Sequence, residues 1–304
     1  IGNLAVGQTT RLSLSPSASS GLRNGTVFPW QFTLTDDTGA YLNERQSVRI
    51  GSVPETGPIG SSILPVSRSV QVGQTATAFA TIVNAGPDPA LDCGIRPITP
   101  LSADFGFQIT NPATNGLSGI PNGSIDIAGG GGSQSFVFSF TPTSAIAPID
   151  IALEFDCANT DPAGIFPGLN TFLFSAESSA IPDLLGLTTT TDLQANVNVG
   201  TAFAVGSANV GVTGAITATV DDGGRNLPLQ LSLCQTDPML GTCTSPIGPA
   251  ASLTYAGGAT ASFAVFVTAT APISNDPANN RIFVRFTDSG GILRGATSTA
   301  VRTE

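Results

Sequence analysis

The sequence predicts an all-β chain of tandem antiparallel β-sandwiches, and three observations carry that prediction. Apolar residues alternate with small or polar ones at period two in TATAFATIV (75–83), SQSFVFSF (133–140), PIDIALEF (148–155), AITATV (215–220), LPLQLSLC (227–234), ASFAVFV (261–267) and RIFVRF (281–286). That is the pattern of strands with one buried face. Between them lie NAGPDP (84–89), PNGS (121–124), DDGGRN (221–226) and SNDPANN (274–280), all turn chemistry. The pattern also repeats. SIDIAGGGGSQSF (124–136) matches SLTYAGGATASF (252–263), and IALEFDC (151–157) matches IFVRFTD (282–288). Repeats of this kind indicate an array of similar domains. Helical periodicity is confined to PDLLGL (182–187), which is too short for more than one turn.

Domain limits follow from the repeat. TIVNAG (81–86) aligns with TATVDDGG (217–224), which brings Cys93 close to Cys234. Residues 64–185 then form one sandwich with Cys93 and Cys157, and 186–304 a second with Cys234 and Cys243. SAIPDLLGLTTTTDL (179–193) joins them with little slack, while GSVPETGPIGSS (51–62) is a Gly/Pro/Ser connector. Residues 1–63 are a partial or compact unit plus this linker. AVGQTTRLSL (5–14) resembles AGGATASFAV (256–265), and FTLTDDTGAYLNERQSVRI (32–50) resembles VRFTDSGGILRGATSTAVR (284–302). VGQT (6–9) also echoes VGQT (72–75). The segment reads as half a sandwich completed by upstream sequence or a neighbouring molecule, or as a shortened repeat. In the first case Leu12, Leu14, Phe32 and Leu34, at alternate positions, set the register of assembly by strand pairing. Trp30, beside Phe28 and Phe32, anchors the core of this unit.

Composition narrows the function classes. The chain is 41% hydrophobic and 11% charged with 35 Gly and 22 Pro, the balance of a turn-rich β protein. Every basic residue is Arg, and the net charge of -10 repels nucleic acid. Without His or Lys, Ser-His-Asp and Cys-His catalysis, Schiff bases and His-ligated metals are excluded. Carboxylates remain: Glu154 with Asp156, Asp36 with Asp37, and Asp221 with Asp222. A glycosidase needs two facing carboxyl groups, usually with aromatic platforms, and one Trp and two Tyr make platforms scarce. Asp36, Asp156 and Asp288 mark equivalent strand ends and are read as sharing a turn or hydrogen-bonding role rather than a catalytic one. No catalytic, cofactor-binding or metal-ligating residue is expected. Calcium is the one ion that DDGG and SNDPANN suit, although neither matches a defined calcium motif. Asn24-Gly25-Thr26 and Asn122-Gly123-Ser124 fit the glycosylation sequon, but Asn-Gly is also the hairpin dipeptide. GGGG (129–132) reads as a flexible hairpin tip.

The four cysteines lack CxxC spacing and His, so zinc would need four sulfurs drawn from two domains. Disulfides Cys93–Cys157 and Cys234–Cys243, each inside one repeat, are the better reading and imply an oxidising compartment. In the chain-entropy model the long loop stabilises by about 4 kcal/mol and the short one by about 2.5–3. No stretch of 18 apolar residues exists to span a membrane. The chain begins at Ile without a signal peptide, as expected if one was removed or if this is a section of a longer polypeptide.

Units with about seven alternating strands, and Cys93 tied to the sequence-distant Cys157, resemble the tandem immunoglobulin-like sandwiches of bacterial surface and secreted proteins. The resemblance is architectural, because no Trp lies between Cys93 and Cys157. It implies a non-enzymatic extracellular structural protein: a self-associating subunit of a surface filament, layer or stalk. The alternative is an adhesin or a glycan- or protein-binding module with loop 111–122 at the contact. An accessory region of a secreted hydrolase and a viral structural protein are further classes.

Overall fold

The computed structural model describes residues 27–35, 41–49, 58–190, 194–197 and 200–303. Ile1–Glu55 and Thr56–Glu304 are separate compact units. In the first, β1 (Val27–Thr35) and β2 (Tyr41–Arg49) form an antiparallel hairpin, with Phe32 opposite Glu44 and Leu34 opposite Leu42.

The second unit holds two sandwiches. One comprises β3 (Ile59–Leu64), β4 (Ser67–Gln71), β5 (Ala76–Asn84), β6 (Ala90–Pro97), β7 (Ala103–Thr110), β8 (Leu117–Ser118), β9 (Ile125–Ile127), β10 (Gly132–Pro142), β11 (Ile146–Asp156) and β12 (Thr171–Glu177). Its sheets run β3-β5-β10-β7-β8 and β4-β12-β11-β6-β9. The other comprises β13 (Leu184–Thr189), β14 (Gln194–Asn196), β15 (Gly200–Asn209), β16 (Gly214–Asp221), β17 (Leu229–Thr236), β18 (Ala250–Tyr255), β19 (Thr260–Ala269), β20 (Arg281–Asp288) and β21 (Leu293–Arg302). Its sheets, β13-β15-β19-β17 and β14-β21-β20-β16-β18, repeat the same order. The fold is all-β with immunoglobulin-like topology, and no helix occurs among the described residues. PDLLGL, the one helical candidate, enters β13, because Leu184 must reach the core.

Each sandwich opens with a strand pair that switches sheets. β3 pairs antiparallel with β5, whereas β4 pairs parallel with the last strand, β12. β13 and β14 do the same with β15 and β21. Proline at 65 separates β3 from β4, as expected of a residue that cannot donate to a ladder. The first sandwich therefore begins at Ile59, inside the segment read as connector, because Ile59 and Ile63 are needed in its core.

Alternation becomes packing in β5 and β10, whose inward residues include Ile82, Phe136, Phe138 and Phe140. Phe138 meets Phe172 edge-on at 5.1 Å between centroids, and Phe140 stacks on Phe172 at 5.8 Å. Phe263 and Phe286 meet at 5.8 Å across the second core.

One side chain explains the sequence repeat. Asn84 ends β5 fully buried; its Oδ1 accepts from Gly86 N (3.0 Å), and its Nδ2 donates to the carbonyls of Asp88 (2.8 Å) and Ile127 (3.2 Å). Asn209 ends β15 likewise. Its Oδ1 accepts from Gly211 N (3.0 Å), and its Nδ2 donates to the carbonyls of Val212 (2.8 Å) and Tyr255 (3.1 Å). Ile127 and Tyr255 are the residues before Ala-Gly-Gly in the two matched segments. Glycine is required there: a Cβ on Gly129 would collide with the Pro87 carbonyl and one on Gly257 with that of Gly211, while Gly130 and Gly258 hold φ of 72° and 76°. The tetraglycine is thus a packed turn rather than a flexible tip, tied through Gly130 N to the Gly86 carbonyl.

The counterpart of Asn84-Ala-Gly86 is accordingly Asn209-Val-Gly211, which corrects the alignment of TIVNAG with TATVDDGG. The former lies in β5 and the latter runs through β16, the equivalent of β6. Cys93 in β6 and Cys234 in β17 are not equivalent either.

The two sandwiches meet along a polar seam. Ser67 Oγ of β4 accepts from Ala296 N (2.8 Å) and reaches the Ala296 carbonyl (3.1 Å) of β21. Asp183 accepts from Ser69 N (2.8 Å) and Arg68 Nε (2.8 Å), and its own N–H donates to Asn209 Oδ1 (3.1 Å). Burial pushes the Asp183 carboxyl up, and Arg68 pulls it back only in part. Arg294 bridges Glu177 of the first sandwich and Asp288 of the second, the latter at 2.7 Å. This seam is why RIFVRF departs from alternation: Arg281 to Val284 are buried in succession.

Replacing Asn209 with Ala removes the donor and acceptor that satisfy the buried turn and one tie to the seam. The expected loss is on the order of 3 kcal/mol, measured by urea unfolding, with Asn84→Ala giving a comparable loss in the first sandwich. For Asp288, burial alone would raise the carboxyl, but hydrogen bonds from Ile292 N, Arg294 Nε and Gly290 N hold it below the ordinary range. A folded-state pKa below the unfolded one stabilises above about pH 4, and the gain is lost as pH falls through the lowered value. Asp288→Asn should therefore cost about 2 kcal/mol at neutral pH, and the difference from wild type should close as denaturation midpoints are followed from pH 7 down towards acid.

Candidate functional site: interaction surfaces

Cys93 in β6 and Cys157, one residue past β11, are joined across a separation of 64 residues. β6 and β11 are neighbours, with Gly94 opposite Asp156, so the bond lies within one sheet and does not bridge the two sheets of the sandwich. Cys234 in β17 and Cys243 close a nine-residue separation beside the bridge between Thr236 and Cys243.

The carboxylates singled out in the sequence are occupied with local structure. Asp221 caps Gly223 N (2.7 Å) and pairs with Arg285 (2.6 Å), and Asp222 caps Gly224 N and Leu227 N. Asp276 accepts from Asn279 N (3.2 Å). Glu154 pairs with Arg96. Asp288 caps its turn; at Asp156 burial and the neighbouring charge of Glu154 raise the pKa, which a hydrogen bond from the Cys157 backbone lowers only in part. Asp36 and Asp37 lie outside the described residues, as do Leu12, Leu14 and the Asn24 sequon. Among the described residues no group of three or more His, Cys, Asp or Glu side chains gathers to hold a metal. Asn122 sits at φ 57° and its Oδ1 accepts from Phe107 N (2.9 Å), the turn use of Asn-Gly. Among the described residues no helix is long and apolar enough to cross a membrane.

Trp30, Phe32 and Leu34 fall at alternate positions of β1. The β1–β2 hairpin lies in the segment matched in sequence to β20–β21, but the registers differ by one: Phe32 is opposite Glu44, whereas its match Val284 is opposite Thr297, because β20–β21 shifts register between Phe286 and Thr287.

Two surface features have no counterpart among the sequence expectations. The first is the loop closed by Cys234–Cys243, where Met239 is 93% and Leu240 75% exposed. The loop is stiff: Asp237 Oδ1 accepts from Met239 N (2.8 Å) and Leu240 N (2.9 Å), Gly241 N donates to the Asp237 carbonyl (2.8 Å), and Asp237 N donates to the Thr242 carbonyl (2.9 Å). The second is a cleft of about 550 Å³ between the sandwiches, with Ile63, Leu64, Leu187 and Ala300 among its walls and Arg281 in its lining. Arg281 is 8% exposed, and its three hydrogen bonds go to Ser298 Oγ (2.9 Å) and the carbonyls of Pro277 (2.7 Å) and Ser298 (3.4 Å), all neutral acceptors. None of the ion pairs among the described residues involves it. Burial lowers its pKa to about 10, so it remains a cation at neutral pH. Gln194 Oε1, also in the lining, is buried without a hydrogen-bond partner among the described residues.

No protein-family model matches the chain, and no curated protein is significantly similar to it in sequence. Among solved structures, a family 123 glycoside hydrolase from Clostridium perfringens is similar at 12% identity and a TM-score of 0.26, covering 40% of this chain and 27% of its own. The major pilin subunit of Bacillus cereus is similar at 10% identity and a TM-score of 0.27, covering 81% and 69%. A tip adhesin from Pseudomonas aeruginosa is similar at 8% identity and a TM-score of 0.21, covering 81% and 99%. This chain thus spans about a quarter of the hydrolase chain it resembles. At such identities and TM-scores the activities and partners of these proteins do not carry over.

Proposed function

We propose that this chain is a non-enzymatic structural subunit of a cell-surface filament, layer or stalk, assembled by self-association of β-sandwich domains. The observation that carries this reading is the β1–β2 hairpin. Its sequence matches the closing hairpin β20–β21, which in its own sandwich is flanked by β14 on one side and β16 and β18 on the other. Among the described residues it is a two-stranded sheet, which is marginal in water and has open edges, and this supports its completion by strands of a neighbouring molecule. The seam supports the same reading, because it fixes two sandwiches into one stiff element suited to bearing length. The two disulfides, each confined to one sandwich, suit an oxidising exterior. No step of this role calls for a cofactor.

A second reading, an adhesin or glycan- or protein-binding module, is favoured by one observation. Loop 111–122 exposes Leu117 and Ile120 on an ordered frame, with Gln108 Nε2 donating to the Gly119 carbonyl (2.9 Å).

Deletion of residues 1–55 should leave the remaining sandwiches folded and oxidised but abolish self-assembly, followed by sedimentation and negative-stain microscopy of both proteins. Backbone pairing needs little charge, so assembly of the full chain should persist in high salt. A truncated protein that polymerises like the full chain would refute the role given to the hairpin.

A further inference from the structure

The disulfide-closed loop and the cleft between the sandwiches are opposites in shape and alike in chemistry. The loop is convex, stiff and apolar at its tip, with the Asp237 carboxylate at its base; the cleft is concave and apolar, with a cation, Arg281, that pairs with no acid among the described residues. Both belong to one chain. We propose that Met239 and Leu240 of one copy insert into the cleft between the sandwiches of a second copy, bringing the carboxylate of Asp237 towards Arg281. The inference rests on the self-association proposed above and specifies a contact for it.

Four features argue for a second copy as the occupant. Met239 is the only methionine of the chain and, among the described residues, the most exposed large apolar side chain, and a long unbranched thioether adapts to an irregular apolar hollow. The loop is pre-organised by a disulfide and an Asp turn, so little conformational freedom is lost on docking. The guanidinium has five N–H donors, of which three bonds to neutral acceptors account for three, leaving two without a partner among the described residues and suited to a carboxylate. Finally, loop and cleft are different patches, so the contact is heterologous: each copy keeps a free loop and a free cleft and the chain of contacts stays open. One inserted loop buries less than the roughly 1,000 Å² expected of a stable interface, so each contact is weak and gains strength by repetition along a polymer.

The test uses a fluorescent disulfide-closed peptide of residues 234–243 as probe, titrated against the full-length protein and read by anisotropy. Expected is saturable binding, weakened at least tenfold by Met239→Asp in the peptide and by Leu187→Asp in the protein. Leu187 is 51% exposed, so that variant should keep its fold, checked by circular dichroism. In the full chain, Met239→Asp and Leu187→Asp should each reduce sedimentable polymer when alone. An equimolar mixture should recover the single contact between an intact loop and an intact cleft as a two-copy species. Absence of peptide binding, or binding insensitive to both substitutions, overturns the loop-and-cleft contact while leaving assembly through residues 1–55 standing. A wild-type chain that stays monomeric at every concentration overturns both.

Discussion

The fold depends on a buried asparagine at the end of the third strand of each sandwich. Asn84 and Asn209 must satisfy a tight turn after their own strand while holding the carbonyl that precedes Ala-Gly-Gly in a distant hairpin. These amide bonds tie segments more than forty residues apart in each sandwich, Asn84 to Ile127 and Asn209 to Tyr255. With the ends of β5 and β15 pinned, the register of everything upstream in those strands is set by counting back from the amide. The second amide does more, because Asn209 Oδ1 also receives Asp183 N at the threshold of the seam.

Counting back has a consequence for side-chain facing. TAFA occurs at 77–80 and again at 201–204, but Asn84 lies seven residues after Thr77 and Asn209 eight after Thr201. One extra residue reverses the inward face of a strand. Phe79 is accordingly 44% exposed, while Phe203 is 6% exposed and belongs to the core. Sequence matching alone pairs the two phenylalanines; the pinned asparagines separate them.

Much of the architecture was legible beforehand for the same reason. Ala-Gly-Gly, the alternation in β10 and β19, and the paired cysteines follow local rules that a single strand or turn must obey. The alignment of TIVNAG with TATVDDGG failed because both stretches end strands with turn residues, and only the long-range role of Asn84 tells them apart. Burial of Arg281 and Phe283 could not be read from RIFVRF, since it arises where a second sandwich covers a face that alternation would leave to solvent. The cleft around Arg281 is likewise a product of two elements distant in sequence, and nothing in either wall announces it. Nor does DPML announce an exposed apolar tip, since the exposure of Met239 and Leu240 depends on the disulfide and the Asp237 turn holding them away from any core.

The parallel pairing of β4 with β12 bears on mechanical load. In a parallel pair, tension drawn through the N-terminal end of one strand and the C-terminal end of the other runs along the ladder and shears its bonds together. β4 follows the first strand of the sandwich and β12 is its last, and five residue pairs from Ser67–Leu173 to Gln71–Glu177 share such a pull. Should that clasp yield, Cys93–Cys157 still excludes its 64-residue interval from extension, removing roughly 200 Å of slack at about 3.3 Å per residue. A pulled sandwich would then lengthen in a short, bounded step.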